Sequence, residues 1–204
     1  MNNRSALGIF FRIPEYGKVK TRLAKEIGKH AALNEYKLML CSTVYGFFKL
    51  NNIDFYGFYE GTIPKPDFLK ILTCLPQKGS NLGDRMLNAF EWLFRKGYKK
   101  TVITGSDIPD LPLDFLREAF KQLDFSDLTI GPSEDGGYYL IGMKKPVNTI
   151  FENITWGSDS VLDETVSIAD REGIRYSLLP RWYDIDDFAA LKRWKKSLKY
   201  AKQI

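Results

Sequence analysis

Short apolar, β-branched or aromatic runs alternate along the chain with longer stretches in which apolar residues return every three to four positions. The short runs predict strands over 6–11, 55–59, 72–75, 101–104, 128–130, 138–142 and 176–179. The longer stretches predict helices over 31–50, 82–96, 113–123, 160–172 and 187–202. Such alternation is the pattern of an α/β fold: a mostly parallel sheet with helices on both faces, three layers in all. No repeat, low-complexity tract or Ser/Gly linker divides the sequence, so 1–204 is read as a single domain. Within 31–50, Tyr45, Phe47 and Phe48 with Leu38 and Cys41 are expected to form the buried helix face.

Composition narrows the chemistry. At 204 residues with 44% hydrophobic and 27% charged residues, the chain can bury a sizeable core and is neither disordered nor a simple coiled coil. No apolar run approaches the roughly 20 residues of a membrane span, and the run 6–11 is too short for a signal peptide. Cys41 and Cys74 lack zinc-type spacing, and a reducing cytoplasm is the expected setting. One histidine, His30, disfavours Ser-His-Asp catalysis and multi-histidine metal sites, and it is expected at the surface or at a helix start. Catalysis must therefore rest on carboxylates, lysines and arginines. The formal charge of +5 lies wholly in 187–204, where six basic residues face one acid at helical spacing. This reads as the solvated face of a terminal helix, with no nucleic-acid partner.

Ligands of open α/β sheets bind outside the carboxyl ends of the strands, so the residues just after each strand matter most. After the first strand, 12–29 holds six basic residues against Glu15 and Glu26, in a loop able to grip a polyphosphate or simply to enter a helix. It is not a Walker A loop, because Arg12 stands where that motif needs glycine. Before the helix at 82 lies Gly79-Ser-Asn-Leu-Gly83, where small residues let backbone donors approach a ligand, and where Ser80 or Asn81 can equally cap the helix. Asp107, in Thr104-Gly-Ser-Asp107, ends a hydrophobic strand and suits a hard cation such as Mg²⁺; Asp110 is expected to cap a turn. Asp135-Gly-Gly-Tyr138 signals a hairpin. In Asp184-Ile-Asp186 the two carboxylates point to one side of an extended chain and offer a second place for a cation, with Asp187 expected to cap the last helix. Trp156 and Trp182 sit in loops beside these segments, where they can wall a pocket or pack into the core.

Taken in order, these segments resemble the nucleotide-diphospho-sugar transferase (glycosyltransferase-A type, Rossmann-like) fold. Within it they resemble the 2-phospholactate-guanylyltransferase-like transferases associated with radical-SAM and selenodomain proteins. The residues that carry the likeness are 11–24, 81–86, 105–109, 135–142, Trp156 with Val161-Leu162, and Asp184-Ile-Asp186. The resemblance implies a nucleotide pocket in which Arg12, Gly17, Lys20 and Arg22 border the phosphates, while Ser80, Asn81 and Gly83 border the base or ribose. It further implies that Asp107 and Asp186 hold Mg²⁺ or Mn²⁺, and that Asp135 and Gly136 border the acceptor.

The expected activity is metal-dependent nucleotidyl transfer. An anionic acceptor such as a phosphate or phosphonate attacks the α-phosphate of a nucleoside triphosphate and pyrophosphate leaves, with Asp107, Asp135, Lys20 and Arg22 as the catalytic group. The first alternative is glycosyl transfer from a nucleotide-sugar. The second is a nucleotide-binding accessory protein without turnover. The spacing Asp107-x-x-Asp110, in place of an Asp-x-Asp pair, favours nucleotidyl transfer.

Overall fold

The computed structural model describes residues 4–62 and 67–201. Seven strands form one sheet: β1 (Ser5–Arg12), β2 (Ile53–Glu60), β3 (Thr73–Pro76), β4 (Lys100–Thr104), β5 (Leu128–Pro132), β6 (Tyr138–Met143) and β7 (Tyr176–Leu178). Among the described residues six α-helices accompany them: α1 (Thr21–Ile27), α2 (Lys29–Phe47), α3 (Leu82–Arg95), α4 (Leu113–Gln122), α5 (Val161–Arg171) and α6 (Phe188–Ala201). The spatial order of strands is β3-β2-β1-β4-β6-β5-β7, and β6 alone runs antiparallel to its neighbours. The fold is the expected three-layer α/β arrangement. Among the described residues no helix is long and apolar enough to cross a membrane.

Period-two alternation places the two cores. From β1, Leu7, Ile9 and Phe11 point to one face, where α2 and α4 bring Tyr36, Leu40, Phe47 and Leu116. Ala6 points to the other, where α3 and α5 bring Met86, Phe90, Leu93 and Ile168. A parallel sheet covered on both faces needs apolar residues at nearly every position, which is why β1 reads as a continuous run.

The chain walks outward from β1 to β2 and β3, then returns through α3 to place β4 on the opposite side of β1. That reversal between β1 and β4 opens a crevice at their carboxyl ends, the usual ligand position in such sheets.

Two expectations need correction. The basic stretch after β1 contains a helix, α1, because Leu23 is fully buried and Ala24 and Ile27 pack beside it. The high density of charge hid this short amphipathic turn. On α2, the buried face is Ala32, Tyr36, Met39, Leu40, Thr43, Val44 and Phe47, whereas Leu38, Tyr45 and Phe48 are exposed and Cys41 is half-buried. Apolar residues occupy both sides of this helix, so periodicity alone could not say which one faces the sheet; Phe48 instead stacks on Phe55 at its end.

A third core cluster joins Leu23 of α1, Ala32 and Met39 of α2, Tyr183 and Ile185, and Leu191 and Trp194 of α6. It clamps the acidic segment 183–187 against the start of the chain. Two basic side chains of α6 meet acids from elsewhere: Arg193 with Glu134, and Lys195 with Glu35. Trp194 is fully buried at the centre of this cluster. Trp194→Ala is expected to lower unfolding stability by about 3–5 kcal/mol in urea titrations; a loss below about 1 kcal/mol would show that α6 is not the clamp described.

Candidate functional site

Lys20 joins the pieces of the site. Its backbone is left-handed (φ 46°), a conformation that costs a non-glycine residue about 1 kcal/mol or more, and it forms the N-terminal boundary of α1. Gly17, three residues earlier, turns the loop with φ +73°. This path aims the nearly buried Lys20 side chain inward, where Nζ lies 2.7 Å from Asp107 Oδ2 and 3.4 Å from Asp186 Oδ1. Arg22 Nη1 donates to the other oxygen of Asp186 at 3.1 Å. Burial by itself would lower the pKa of Lys20, but Asp107, then Asp186 and Asp184, outweigh it and the ammonium is held more firmly protonated than usual.

Backbone contacts fix the acids. Thr43 Oγ1 of α2 donates to the Ser106 carbonyl at 3.0 Å. Tyr36 accepts from the Arg12 amide at 2.9 Å and donates to the Arg12 carbonyl at 3.0 Å, which ties the end of β1 to the same helix. The Ile185 amide donates to the Asp107 carbonyl at 2.9 Å, so the segment carrying Asp184 and Asp186 is stitched to the turn after β4. Ser133 Oγ donates to Asp184 at 3.2 Å, and the Trp182 carbonyl accepts from the Glu134 amide.

Around this junction lies a cleft whose first part, about 600 Å³, is lined by Arg12, Lys20, Arg22, Glu60, Arg85 and Asp107, among others. Glu60 links Arg12 and Arg85 across one wall, at 2.8 and 2.9 Å. A second part, about 410 Å³, continues past Asp107 to Asp135, Tyr138, Trp156, Asp159 and Asp184.

The expected residues are placed unevenly. Arg12, Lys20, Arg22, Asp107, Asp135 and Asp186 all line the first part of the cleft. Ser80 and Asn81 serve α3 instead: Asn81 Oδ1 accepts from the Asp84 amide at 2.9 Å, and Ser80 donates to the Asp84 carboxylate through both its amide and its hydroxyl. Gly83 is where Trp156 packs; a Cβ there would lie 2.6 Å from the indole. Gly136, at φ +89°, lets the β5–β6 turn close on the backbone of Asp159, 2.0 Å from where a Cβ would stand. These four residues shape walls, and from 79–85 it is Leu82 and Arg85 that reach the cleft.

Asp110 does not cap a turn. Its carboxylate accepts from the Tyr183 hydroxyl and Ser197 Oγ, bracing the acidic segment and α6 from behind, while Pro112 precedes α4 with no side-chain cap. Asp187 does cap α6, accepting from the Ala190 amide at 2.8 Å. His30 is exposed against Tyr16, and Trp182 packs edge-on against Phe115. Sequence reasoning missed Glu60, although it ends β2 and the strand-end rule covers it; Tyr36 gave no signal beyond a helical aromatic.

A divalent ion fits the donor chemistry. Asp107 and Asp186 are hard oxygen donors held on either side of one buried cation, and nearby Asp184 has its pKa pushed up to about 6 by burial and by repulsion from Asp107 and Asp135. Asp107 and Asp135 thus repel Asp184, and Lys20 offsets only part of that repulsion. Among the described residues no three acidic, histidine or cysteine side chains converge into a closed metal cage. Mg²⁺ is usually held by one or two carboxylates together with substrate phosphates and water, and Asp107 and Asp186 offer two.

The Asp184 shift has a measurable sign. Between its ordinary pKa of about 3.9 and about 6 the folded protein keeps a proton that the unfolded chain releases, so stability falls as pH rises through that window. Asp184→Asn removes the slope. Its melting temperature relative to the parent should be more favourable at pH 7.5 than at pH 4; an equal difference at both would contradict the assigned cause.

Comparison with known proteins places the fold. A crystal structure from Desulfovibrio desulfuricans G20, described as a "putative nucleotide-diphospho-sugar transferase", is 35% identical, with a TM-score of 0.83 over 90% of this chain and 82% of that one. CMP:2-keto-3-deoxy-manno-octonic acid synthetase complexed with CTP shares the fold at 10% identity and a TM-score of 0.61, covering 98% of this chain and 100% of that one. The inositol-1-phosphate CTP transferase from T. maritima does so at 16% and 0.52, covering 93% of this chain and 92% of that one. No curated protein matches the sequence. Residues 54–158 match the family described as "Uncharacterized protein conserved in bacteria (DUF2064)", and the chain belongs to that family, within the nucleotide-diphospho-sugar transferase fold.

Proposed function

We propose that the protein is a transferase that moves a nucleoside monophosphate from a nucleoside triphosphate to a phosphate-type oxygen of a small acceptor, releasing pyrophosphate. The observation that carries this reading is the junction of Lys20 with Asp107 and Asp186 at the carboxyl ends of the strands. It brings the cationic β1–α1 segment and two hard-oxygen acids to one point beside a cleft of about 600 Å³.

Transfer of this kind needs alignment and charge neutralisation more than proton abstraction, because an anionic oxygen is already a nucleophile. The acceptor oxygen forms a new bond to the α-phosphorus as the bond to the bridging oxygen breaks, and that electron pair departs with pyrophosphate. Lys20 and Arg22 supply fixed positive charge for the leaving group. Asp135, at the exposed turn between β5 and β6, orients the acceptor. Asp107 and Asp186 would hold Mg²⁺ or Mn²⁺, which when bound supplies charge stabilisation to phosphate oxygens. A single histidine, exposed against Tyr16, is no obstacle to such chemistry.

Glycosyl transfer from a nucleotide-sugar is the second reading, favoured by the description of the Desulfovibrio relative. The turn of Asp110 away from the cleft, towards Tyr183 and Ser197, leaves one carboxylate after β4 and tells against it.

Thermal shift separates the two. Nucleoside triphosphates with Mg²⁺ should stabilise the protein, by about 2.7 kcal/mol at 100 times Kd, and nucleotide-sugars should not. Stabilisation by nucleotide-sugars alone would favour glycosyl transfer. With an active acceptor, Asp107→Ala should slow pyrophosphate release by at least about 100-fold; an unchanged rate would refute the role of Asp107.

A further inference from the structure

The cleft is electrically lopsided. Its larger part carries five basic side chains, from Arg12, Lys18, Lys20, Arg22 and Arg85, against four acids. Past Asp107 the balance reverses, and Asp107, Asp135, Asp159 and Asp184 stand with Arg22 as the sole cation among the lining residues. Asp107 is answered by Lys20, and a divalent ion on Asp107 and Asp186 would further relieve that end. Asp135 and Asp159 come from the facing loops that close at Gly136, and among the described residues neither has an ion-pair partner. The same cavity is walled by Trp156, half-buried between Gly83, Tyr138 and Phe151.

A purely anionic acceptor in this part of the cleft would face four carboxylates against one guanidinium. An indole beside uncompensated carboxylates is the chemistry that recognises an organic ammonium group, through the ring face and through charge. We propose that the acceptor is zwitterionic: its phosphate-type oxygen lies at the Arg22 and Asp107 end, and its ammonium group is seated among Trp156, Asp135 and Asp159. This rests on the nucleotidyl-transfer reading above and adds the class of acceptor. The positive charge is bound and takes no part in bond making.

Calorimetric titration of the full chain tests it, in Mg²⁺ and an α,β-methylene nucleoside triphosphate that cannot transfer. Ethanolamine phosphate and ethyl phosphate differ by the ammonium group, and galactose 1-phosphate represents neutral polyols. Ethanolamine phosphate should bind at least 10-fold more tightly than either. Asp159→Asn, in an exposed loop, should reduce that preference at least 5-fold and leave ethyl phosphate binding unchanged. Trp156→Leu should do the same, and Asp159→Asn keeps the test decisive if loss of the indole against Gly83 disturbs folding. Equal or tighter binding of ethyl phosphate or galactose 1-phosphate, or a preference that survives Asp159→Asn, overturns the proposal and leaves nucleotidyl transfer standing. Failure of the triphosphate itself to bind overturns both.

Discussion

One buried ammonium holds this site together. Lys20 is nearly without solvent access, stands between Asp107 and Asp186, and keeps its proton because those acids outweigh the cost of burying it. A buried cation of this kind is tolerable only while its partners stay in place, since removing one leaves a charge in low dielectric with nothing to balance it. The rest of the architecture can be understood as keeping those partners in place. The left-handed backbone at Lys20 directs the side chain inward, and α2 fixes both strand ends through Tyr36 and Thr43.

The acidic segment 183–187 is held from two sides. In front, its Ile185 amide bonds the Asp107 carbonyl; behind, Ile185 and Tyr183 pack into the cluster centred on Trp194, and Tyr183 donates to Asp110. Local stability and site geometry are therefore coupled through α6. The terminal helix, whose charge first suggested only a solvated surface, becomes part of the scaffold for Asp186, which meets Lys20 across 166 positions of sequence. Two of its basic residues, Arg193 and Lys195, pair with Glu134 and Glu35.

Much of the fold was legible because each of its signals is local. Apolar runs of strand length, helical periodicity and the Asp-Gly-Gly turn mark elements within a residue or two, as at α3, α4 and α5. The strand-end rule singled out the β1–α1 segment, Asp107, Asp135 and Asp186 before any coordinates. Properties that depend on tertiary context were not legible. Charge masked α1, two apolar sides obscured the orientation of α2, and Asp110 reads like a cap until Tyr183 arrives from 73 positions away. Ser80 and Asn81 show the ambiguity of small polar residues before a helix: the same atoms that could meet a ligand satisfy the helix's own free amides.

The lining charge changes along the cleft, basic in its larger part and acidic past Asp107, and the proposed transfer puts phosphates on the first side and the acceptor on the second. The most direct measurement is a crystal structure with a non-transferable nucleoside triphosphate and Mg²⁺. The account predicts the triphosphate along Arg12, Lys20 and Arg22, with metal density between it and Asp107. A triphosphate bound elsewhere, or one that leaves Lys20 and Asp107 untouched, would contradict it.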